Sequence, residues 1–359
     1  MIAVIADDFT GAAELAGISL RYGLKISVCL HDEISTDADV LIISTDSRSL
    51  KKEEALKVTT DAVSKVVSLK PSFIYKKIDS VLRGYVIDEL KVQMELSGFN
   101  KAFILPANPS LGRTIMNGEY FIEGKRINET AFTTDPEFPI KSSLIKEIVN
   151  DDSVRVLKHS EVLPTNGFVV GEASNEKDIK EWTNKLDNSW MFAGAGDFYT
   201  ALLDRNYQSR PKQEFETQLP HLYVCGTAFK ERKEFIKKLG CGSYLPEVVN
   251  EDWLKTTGDI IKQRHKAVIA IDKTDVSALS LRTNMAKAIK EIVERESIKE
   301  IFIEGGSTAA AILQELDIKK LSPVNELERG VVRMKAKDLF ITVKPGSYEL
   351  PEEILRLYS

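Results

Sequence analysis

Short continuous apolar runs alternate with stretches whose apolar positions recur every third or fourth residue, and this rhythm holds along most of the chain. The runs predict buried strands and the stretches amphipathic helices. The first run, Met1-Ile2-Ala3-Val4-Ile5-Ala6, is apolar at every position, as in a strand covered on both faces of a parallel sheet. A helical pattern follows through Ala12, Leu15, Ala16 and Ser19 to Gly23. Further strands are expected at residues 24–30, 40–44, 73–78, 102–105, 154–157, 168–170 and 190–193, with helices at 51–69, 86–96 and 176–186. In the 51–69 helix Ala55, Val58, Ala62 and Val66 share one face. A second series puts strands at 222–225, 267–271, 300–303 and 339–343, and helices at 280–296, 309–316 and 351–358. Strand–helix alternation of this kind predicts an α/β protein with mainly parallel sheets.

Two stretches interrupt the rhythm. Residues 119–122 and 125–128 predict a β-hairpin turning at Glu123-Gly124. Thr133-Thr134-Asp135-Pro136-Glu137-Phe138-Pro139 after it reads as an extended polar loop, either a binding loop or a decoration. The polar stretch 208–220, with two prolines, is the best linker candidate and divides the chain into domains 1–210 and 220–359.

The candidate chemistry sits where strands end. Asp7-Asp8-Phe9-Thr10-Gly11 joins the first strand to the first helix. Carboxylates there can accept hydrogen bonds from hydroxyls, hold a metal or act as a general base. The plain alternative is an N-cap, which accounts for one carboxylate and not for two. Two more strands end in polar turns, Asp46-Ser47-Arg48 and Asp79-Ser80-Val81-Leu82-Arg83-Gly84. In a parallel sheet these exits share the edge where ligands bind. Arg83 suits a substrate carboxylate, the alternative being a surface salt bridge. Lys77 and Asp79 share a face if the strand continues through both, and then either act on one ligand or pair with each other.

In the second half Gly305-Gly306-Ser307-Thr308 lies between a strand and a helix, and Gly226-Thr227 and Gly346-Ser347 occupy the same strand-to-turn position. Ser307 or Thr308 can serve simply as an N-cap. Three such turns at one sheet edge suit a nucleotide phosphate tail. No Walker site is present, since Gly118 to Gly124-Lys125 has the wrong spacing and Arg126 follows. No dinucleotide fingerprint is convincing either, since Tyr199 stands where Gly194-Ala195-Gly196 would need its third glycine.

The 359 residues, 43% hydrophobic and 29% charged, fit roughly two globular domains. A formal charge of −5 spread through the chain argues against nucleic acid as a partner. No apolar run approaches a membrane span, so no membrane partner is expected. Cys29, Cys225 and Cys241 are unpaired by spacing, and the four histidines form no metal-ligand pattern, so no protein metal site is expected. Few cysteines and a start directly in a strand lead to the expectation of a cytoplasmic protein without a secretion signal.

The motifs together resemble the four-carbon acid sugar kinase family. The resemblance rests on Ile5-Ala6-Asp7-Asp8-Phe9-Thr10-Gly11-Ala12 and on Lys77-Ile78-Asp79-Ser80-Val81-Leu82-Arg83-Gly84, which matches the family's K-x-D-S-x-L-R-G. It continues through Pro106-Ala107, Gly112-Arg113, Gly118, the Asp135-Pro136 loop, Gly305-Gly306-Ser307-Thr308-Ala309 and Lys344-Pro345-Gly346. Departures are Thr227 where Ser is usual, Ser307 where an acidic residue is usual, and Ser347-Tyr348-Glu349 in place of a Phe-Gly segment. The resemblance implies two α/β domains facing each other across an active-site cleft, with ATP-dependent phosphorylation of the 4-hydroxyl of a tetronate or 3-oxo-tetronate. It implies that Asp7, Asp8, Lys77, Asp79, Ser80, Arg83 and Arg113 bind the sugar acid. Asp8 or Asp79 would orient or deprotonate the hydroxyl, and Arg83 would anchor the carboxylate. Gly226, Thr227, Gly305, Gly306, Ser307, Thr308 and Gly346 would hold ATP, with Mg2+ on the phosphates. The partners expected are thus a small sugar acid and ATP, with a homodimer as the candidate assembly. The rival readings are a sugar-acid-binding protein without kinase activity and an NAD-dependent sugar-acid oxidoreductase.

Overall fold

The computed structural model describes residues 1–359 except 31–32, 136–137, 213, 228–229, 272–276, 347 and 359, and leaves the side chains of 230 and 278 undescribed. Pro136, Glu137 and Ser347, singled out above, therefore lie outside the described residues. The chain divides into two compact units, Met1–Arg210 and Pro211–Ser359.

In the first unit β1 (Ile2–Ala6), β2 (Ile26–Leu30), β3 (Val40–Ser44), β4 (Phe73–Lys77) and β5 (Lys101–Leu105) come first. An antiparallel trio follows, β6 (Arg113–Met116), β7 (Glu119–Ile122) and β8 (Lys125–Arg126). The expected hairpin is thus the second half of a three-stranded sheet. The last strands are β9 (Val154–Leu157), β10 (Gly167–Gly171) and β11 (Met191–Gly194). The helices are α1 (Phe9–Leu20), α2 (Lys52–Ser68), α3 (Val86–Ser97), α4 (Ile145–Val149), α5 (Glu176–Lys185) and α6 (Gly196–Asp204).

The main sheet is wholly parallel, in the order β2-β3-β1-β4-β11-β5-β10-β9. All five residues of β1, β2 and β3 are buried, as their largely apolar sequences require, with Ser27 of β2 and Ser44 of β3 the polar exceptions. One core cluster joins Ala62, Val63 and Val66 of α2 to Ala3, Ile5, Leu41, Ile43 and Ile74 of the sheet. The chain leaves β1 toward β2 on one side and later crosses to β4 on the other, so the winding reverses at β1. Ligands of open α/β sheets bind at the carboxyl ends of the strands beside such a reversal.

In the second unit β12 (His221–Cys225), β13 (Gly242–Tyr244), β14 (Lys266–Ala270), β15 (Glu300–Glu304) and β18 (Leu339–Lys344) are parallel, in the order β13-β14-β12-β15-β18. Between the last two in sequence come β16 (Lys320–Glu328) and β17 (Val331–Ala336), which extend the sheet antiparallel from β18. This hairpin is not anticipated by the strand–helix rhythm, because Pro323 and polar Asn325, Glu326 and Glu328 break the apolar pattern that marks a strand. The helices are α7 (Lys230–Lys237), α8 (Glu251–Arg264), α9 (Ala278–Glu296), α10 (Gly306–Glu315) and α11 (Glu352–Tyr358). Among the described residues no helix is long and apolar enough to cross a membrane. The three cysteines are free and buried.

Candidate active site

Three exits from the first unit's sheet, those of β1, β3 and β4, bring charged side chains together. Asp8 is the N-cap of α1: its Oδ1 accepts from the Gly11 N–H at 2.8 Å and its Oδ2 from the Thr10 hydroxyl. The capping role thus accounts for Asp8 alone and leaves Asp7 unexplained. The 45–48 turn is tied onto the end of β1. Thr45 donates to the Ala6 carbonyl from its N–H at 3.0 Å and its hydroxyl at 2.9 Å, and the Arg48 N–H reaches the Asp7 carbonyl at 3.2 Å. This delivers the Arg48 guanidinium into the middle of three carboxylates. It donates to Asp8 and lies 3.5 Å from Asp7 and 3.3 Å from Asp79. Sequence reasoning names Arg48 only as part of a polar turn; its place after a strand that neighbours β1 is the signal that marks it.

Strand β4 ends at Lys77, so Lys77 and Asp79 do not lie on one strand, and each finds its own partner. The Lys77 ammonium donates to the Ile78 carbonyl at 2.9 Å and lies 3.5 Å from Glu14. Burial pulls its pKa down, but the carboxylates of Glu14, Asp8, Asp7 and Asp79 outweigh this and hold it above the usual lysine value. Asp79 is gripped by Arg83 through Nε at 2.8 Å and Nη2 at 2.9 Å, and by the Arg83 N–H at 3.1 Å. The third arm of Arg83 meets Asp135 at 2.7 Å, and its guanidinium lies over the Phe132 ring at 5.2 Å. The fork expected to take a substrate carboxylate is therefore filled by protein carboxylates. Arg83 also lines a cavity of about 540 Å3 whose other walls include Leu82, Phe138, Ile140 and Ile148.

Arg113 reaches the same place from β6. It donates to the Ser80 hydroxyl, while the Tyr120 hydroxyl of β7 donates to the Ser80 carbonyl at 2.7 Å. The antiparallel trio thus clasps the Asp79-Ser80 turn. Among the described residues Arg113 forms no ion pair, unlike Arg48 and Arg83.

The three carboxylates hold their protons with different strength. Burial would raise Asp8, but Arg48, Lys77 and the bonds from Thr10 and Gly11 hold it below the usual range. Burial likewise opposes ionisation of Asp79, and the Arg83 and Arg48 guanidiniums overcome it, leaving the group well below 3.8. Asp7 goes the other way. Burial pushes it up to about 6, against the pull of Arg48 and with a further push from Asp8. Its Oδ1 is buried and has no hydrogen-bond partner.

In the second unit three turns meet at the carboxyl edge of β12, β15 and β18. The Gly226 N–H donates to the Glu304 carbonyl at 3.0 Å, and the Gly305 N–H to the Lys344 carbonyl at 2.9 Å. Gly305 is the N-cap of α10 with φ +112°, a conformation that favours glycine, and it supplies no side chain to the helix end. Neither Ser307 nor Thr308 is that cap, since both lie inside α10. The helix therefore opens with uncapped N–H groups, which suits an anion. Gly226 has no room for a side chain: a Cβ there would lie 2.1 Å from Thr308 Oγ1 and 3.0 Å from the Glu304 carbonyl. Gly346 faces Thr227, whose Oγ1 would lie 4.0 Å from a Cβ.

Two family patterns match the chain. The pattern described as a sugar-binding N-terminal domain matches residues 2–202, and that of a nucleotide-binding C-terminal domain matches residues 254–348. The D-threonate kinase of Bordetella bronchiseptica is 31% identical, with 99% of this chain and 96% of that protein aligned. The D-threonate kinase of Salmonella typhimurium is 26% identical over 96% of this chain and 94% of its own. The D-erythronate kinase of Heliobacterium modesticaldum is 31% identical over 44% of this chain and 37% of that protein. A Haemophilus influenzae protein of family DUF1537 shares the fold, with a TM-score of 0.77 at 17% identity over 99% of this chain and 98% of its own.

Proposed function

Because this chain belongs to the four-carbon acid sugar kinases, with their sugar-binding N-terminal and nucleotide-binding C-terminal domains, we propose that it transfers a phosphoryl group from ATP to the terminal 4-hydroxyl of D-threonate, D-erythronate or a 3-oxo-tetronate. The observation that carries the reading is the cluster of Asp7, Asp8 and Asp79 around Arg48 at the reversal point of a parallel sheet.

Phosphoryl transfer asks a protein for positioning and charge stabilisation more than for covalent chemistry. Arg113, free of carboxylate partners among the described residues, takes the substrate carboxylate, the role expected of Arg83 from sequence. Arg83 instead locks Asp79 and Asp135, which shapes the wall of the site. Asp8 and the buried Lys77 meet substrate hydroxyls. Asp7, poised near pH 6, receives the proton as the 4-hydroxyl attacks. The open N-terminus of α10 and the turns at Gly226 and Gly346 hold the phosphates. Among the described residues no group of three or more His, Cys, Asp or Glu side chains is placed to hold a metal. Mg2+ would then arrive on the triphosphate, as is usual for a kinase, where it neutralises phosphate charge. Dependence on ATP assigns the work to the cytoplasm.

The test is ADP release with Mg-ATP across a panel of tetronates and 3-oxo-tetronates. Turnover on one member identifies the substrate. Silence across the panel by folded protein that still binds a sugar acid favours the non-catalytic binding protein, and turnover with NAD the oxidoreductase. A second expectation concerns Gly226. Gly226→Ala forces Thr308 and the 304–306 turn aside, an overpacking of the phosphate cradle that is expected to weaken ADP binding by roughly tenfold. Calorimetric titration reads this, and wild-type affinity in the variant rules the turn out of the nucleotide site.

A further inference from the structure

The carboxylate of Glu304 is completely buried directly before the Gly305-Gly306 turn. It accepts from the Tyr223 hydroxyl and from Arg232 Nε, 3.1 Å from its Oε1 and 3.0 Å from its Oε2. The Lys344 ammonium, itself fully buried, lies 3.0 Å from Oε1 and also donates to the Pro345 carbonyl at 2.7 Å. One buried carboxylate thus faces two cations. Lys344 ties Glu304 to the Pro345-Gly346 turn, though burial, set against the pull of Glu304, leaves its pKa below the usual lysine value, so two basic groups share the one carboxylate and Glu304 engages Arg232 only at Nε. Arg232 sits in the first turn of α7, just after the Gly226-Thr227 turn, and its side chain keeps 16% of its surface exposed. Among the described residues its two terminal amino groups make no hydrogen bond.

We propose that Arg232, steered through Nε by Glu304, presents its two terminal amino groups to the phosphates of the bound nucleotide. This rests on the reading of the second unit as the nucleotide site. A guanidinium held at one nitrogen and open at the other two is preorganised for two parallel bonds to phosphate oxygens. The guanidinium charge, mostly shielded from water and sharing Glu304 with Lys344, gains a further counter-ion when the nucleotide arrives. Glu304 acts as a positioning residue, touching the arginine and not the nucleotide.

The test is calorimetric titration of wild type, Arg232→Gln and Arg232→Lys with adenosine, AMP, ADP and ATP. Gln retains a donor for Glu304 and removes the charge. Loss of charge-assisted bonds to phosphate is expected to weaken ADP and ATP by about 10- to 100-fold and to leave adenosine unchanged. Lys retains a cation beside Glu304 and loses the second arm, so its ATP affinity falls less while adenosine again holds; it decides the matter if the Gln variant does not fold. An equal loss for adenosine and ATP, or no loss for either, overturns the proposal by making Arg232 a scaffold residue. Failure of wild type to bind any adenine nucleotide instead removes the nucleotide reading itself, and this inference with it.

Discussion

Asp7→Asn is expected to lower kcat by about 10²- to 10⁴-fold, the range supplied by a positioned general base, while leaving the affinity for ATP near that of wild type. The pH dependence makes the prediction specific. With Asp7 pushed up to about 6 by burial, against Arg48 and with Asp8, its carboxylate forms as pH rises through that value. The rate in wild type should therefore climb along an acid limb near pH 6, and the residual rate of the variant should lack that limb. Stability runs with the opposite sign. A folded-state pKa raised above 3.8 means that the folded protein holds this proton more tightly than the unfolded chain. The stabilisation is complete below 3.8 and is lost as pH rises through about 6. Asn stays neutral at every pH, so the variant is expected to melt no lower than wild type at pH 8 despite its loss of activity. A merely structural Asp7 would show the reverse, a lower Tm with kcat preserved, and that pair of results would remove it from the mechanism.

The largest loss of stability is expected from Lys76→Met. Lys76 and Lys77 are neighbours on β4 and point to opposite faces of the sheet. Lys77 enters the site, and Lys76 is buried against Glu89 of α3, with side-chain exposures of 0% and 2%. Removing one partner strands a charge in the core, which costs about 3–5 kcal/mol. Replacing both, as Lys76→Met with Glu89→Leu, is expected to restore most of it, because a packed apolar pair is often as stable as a buried ion pair. Urea denaturation of the wild type, the single and the double variant decides the matter; a double variant no more stable than the single one would refute the account. The pair also touches catalysis. Lys76 is among the cations that draw the Asp7 pKa down, so in the single variant the acid limb of the rate should move to higher pH.

Much of the fold was legible because strand and helix periods are local. The runs at 40–44 and 154–157 became β3 and β9 at those bounds, and of the expected strip Ala55, Ala62 and Val66 lie on the buried face of α2, while Val58 is only half-buried and Thr59 beside it is buried instead. Periodicity missed β13, α7 and α8 as well as the hairpin of β16 and β17. Strands β16 and β17 carry Pro323 and alternating charges, and are held as strands by pairing with each other and with β18. The site was legible as a set of turns, since the exits at Asp7-Asp8, Arg48 and Asp79 follow recognisable strands in a parallel sheet. The division of labour among the charges was not, because it depends on pairs distant in sequence: Arg48 with Asp8, Arg83 with Asp135, and Lys77 with Glu14.

The sequence by itself determined the α/β alternation and the membership of the family, and it marked the polar turns and the glycine turns as the places for chemistry. Those features follow from spacing along the chain, which needs no partner to be read. Only the tertiary structure decided that Asp8 caps α1 while Asp7 is left with a buried, unpartnered oxygen. It also decided that Arg83 is taken up by Asp79 and Asp135, that Arg113 is not so engaged, and that Glu304 is shared by Lys344 and Arg232. A charged side chain takes its role from the charges and the burial around it, and those are set by strand order and helix packing.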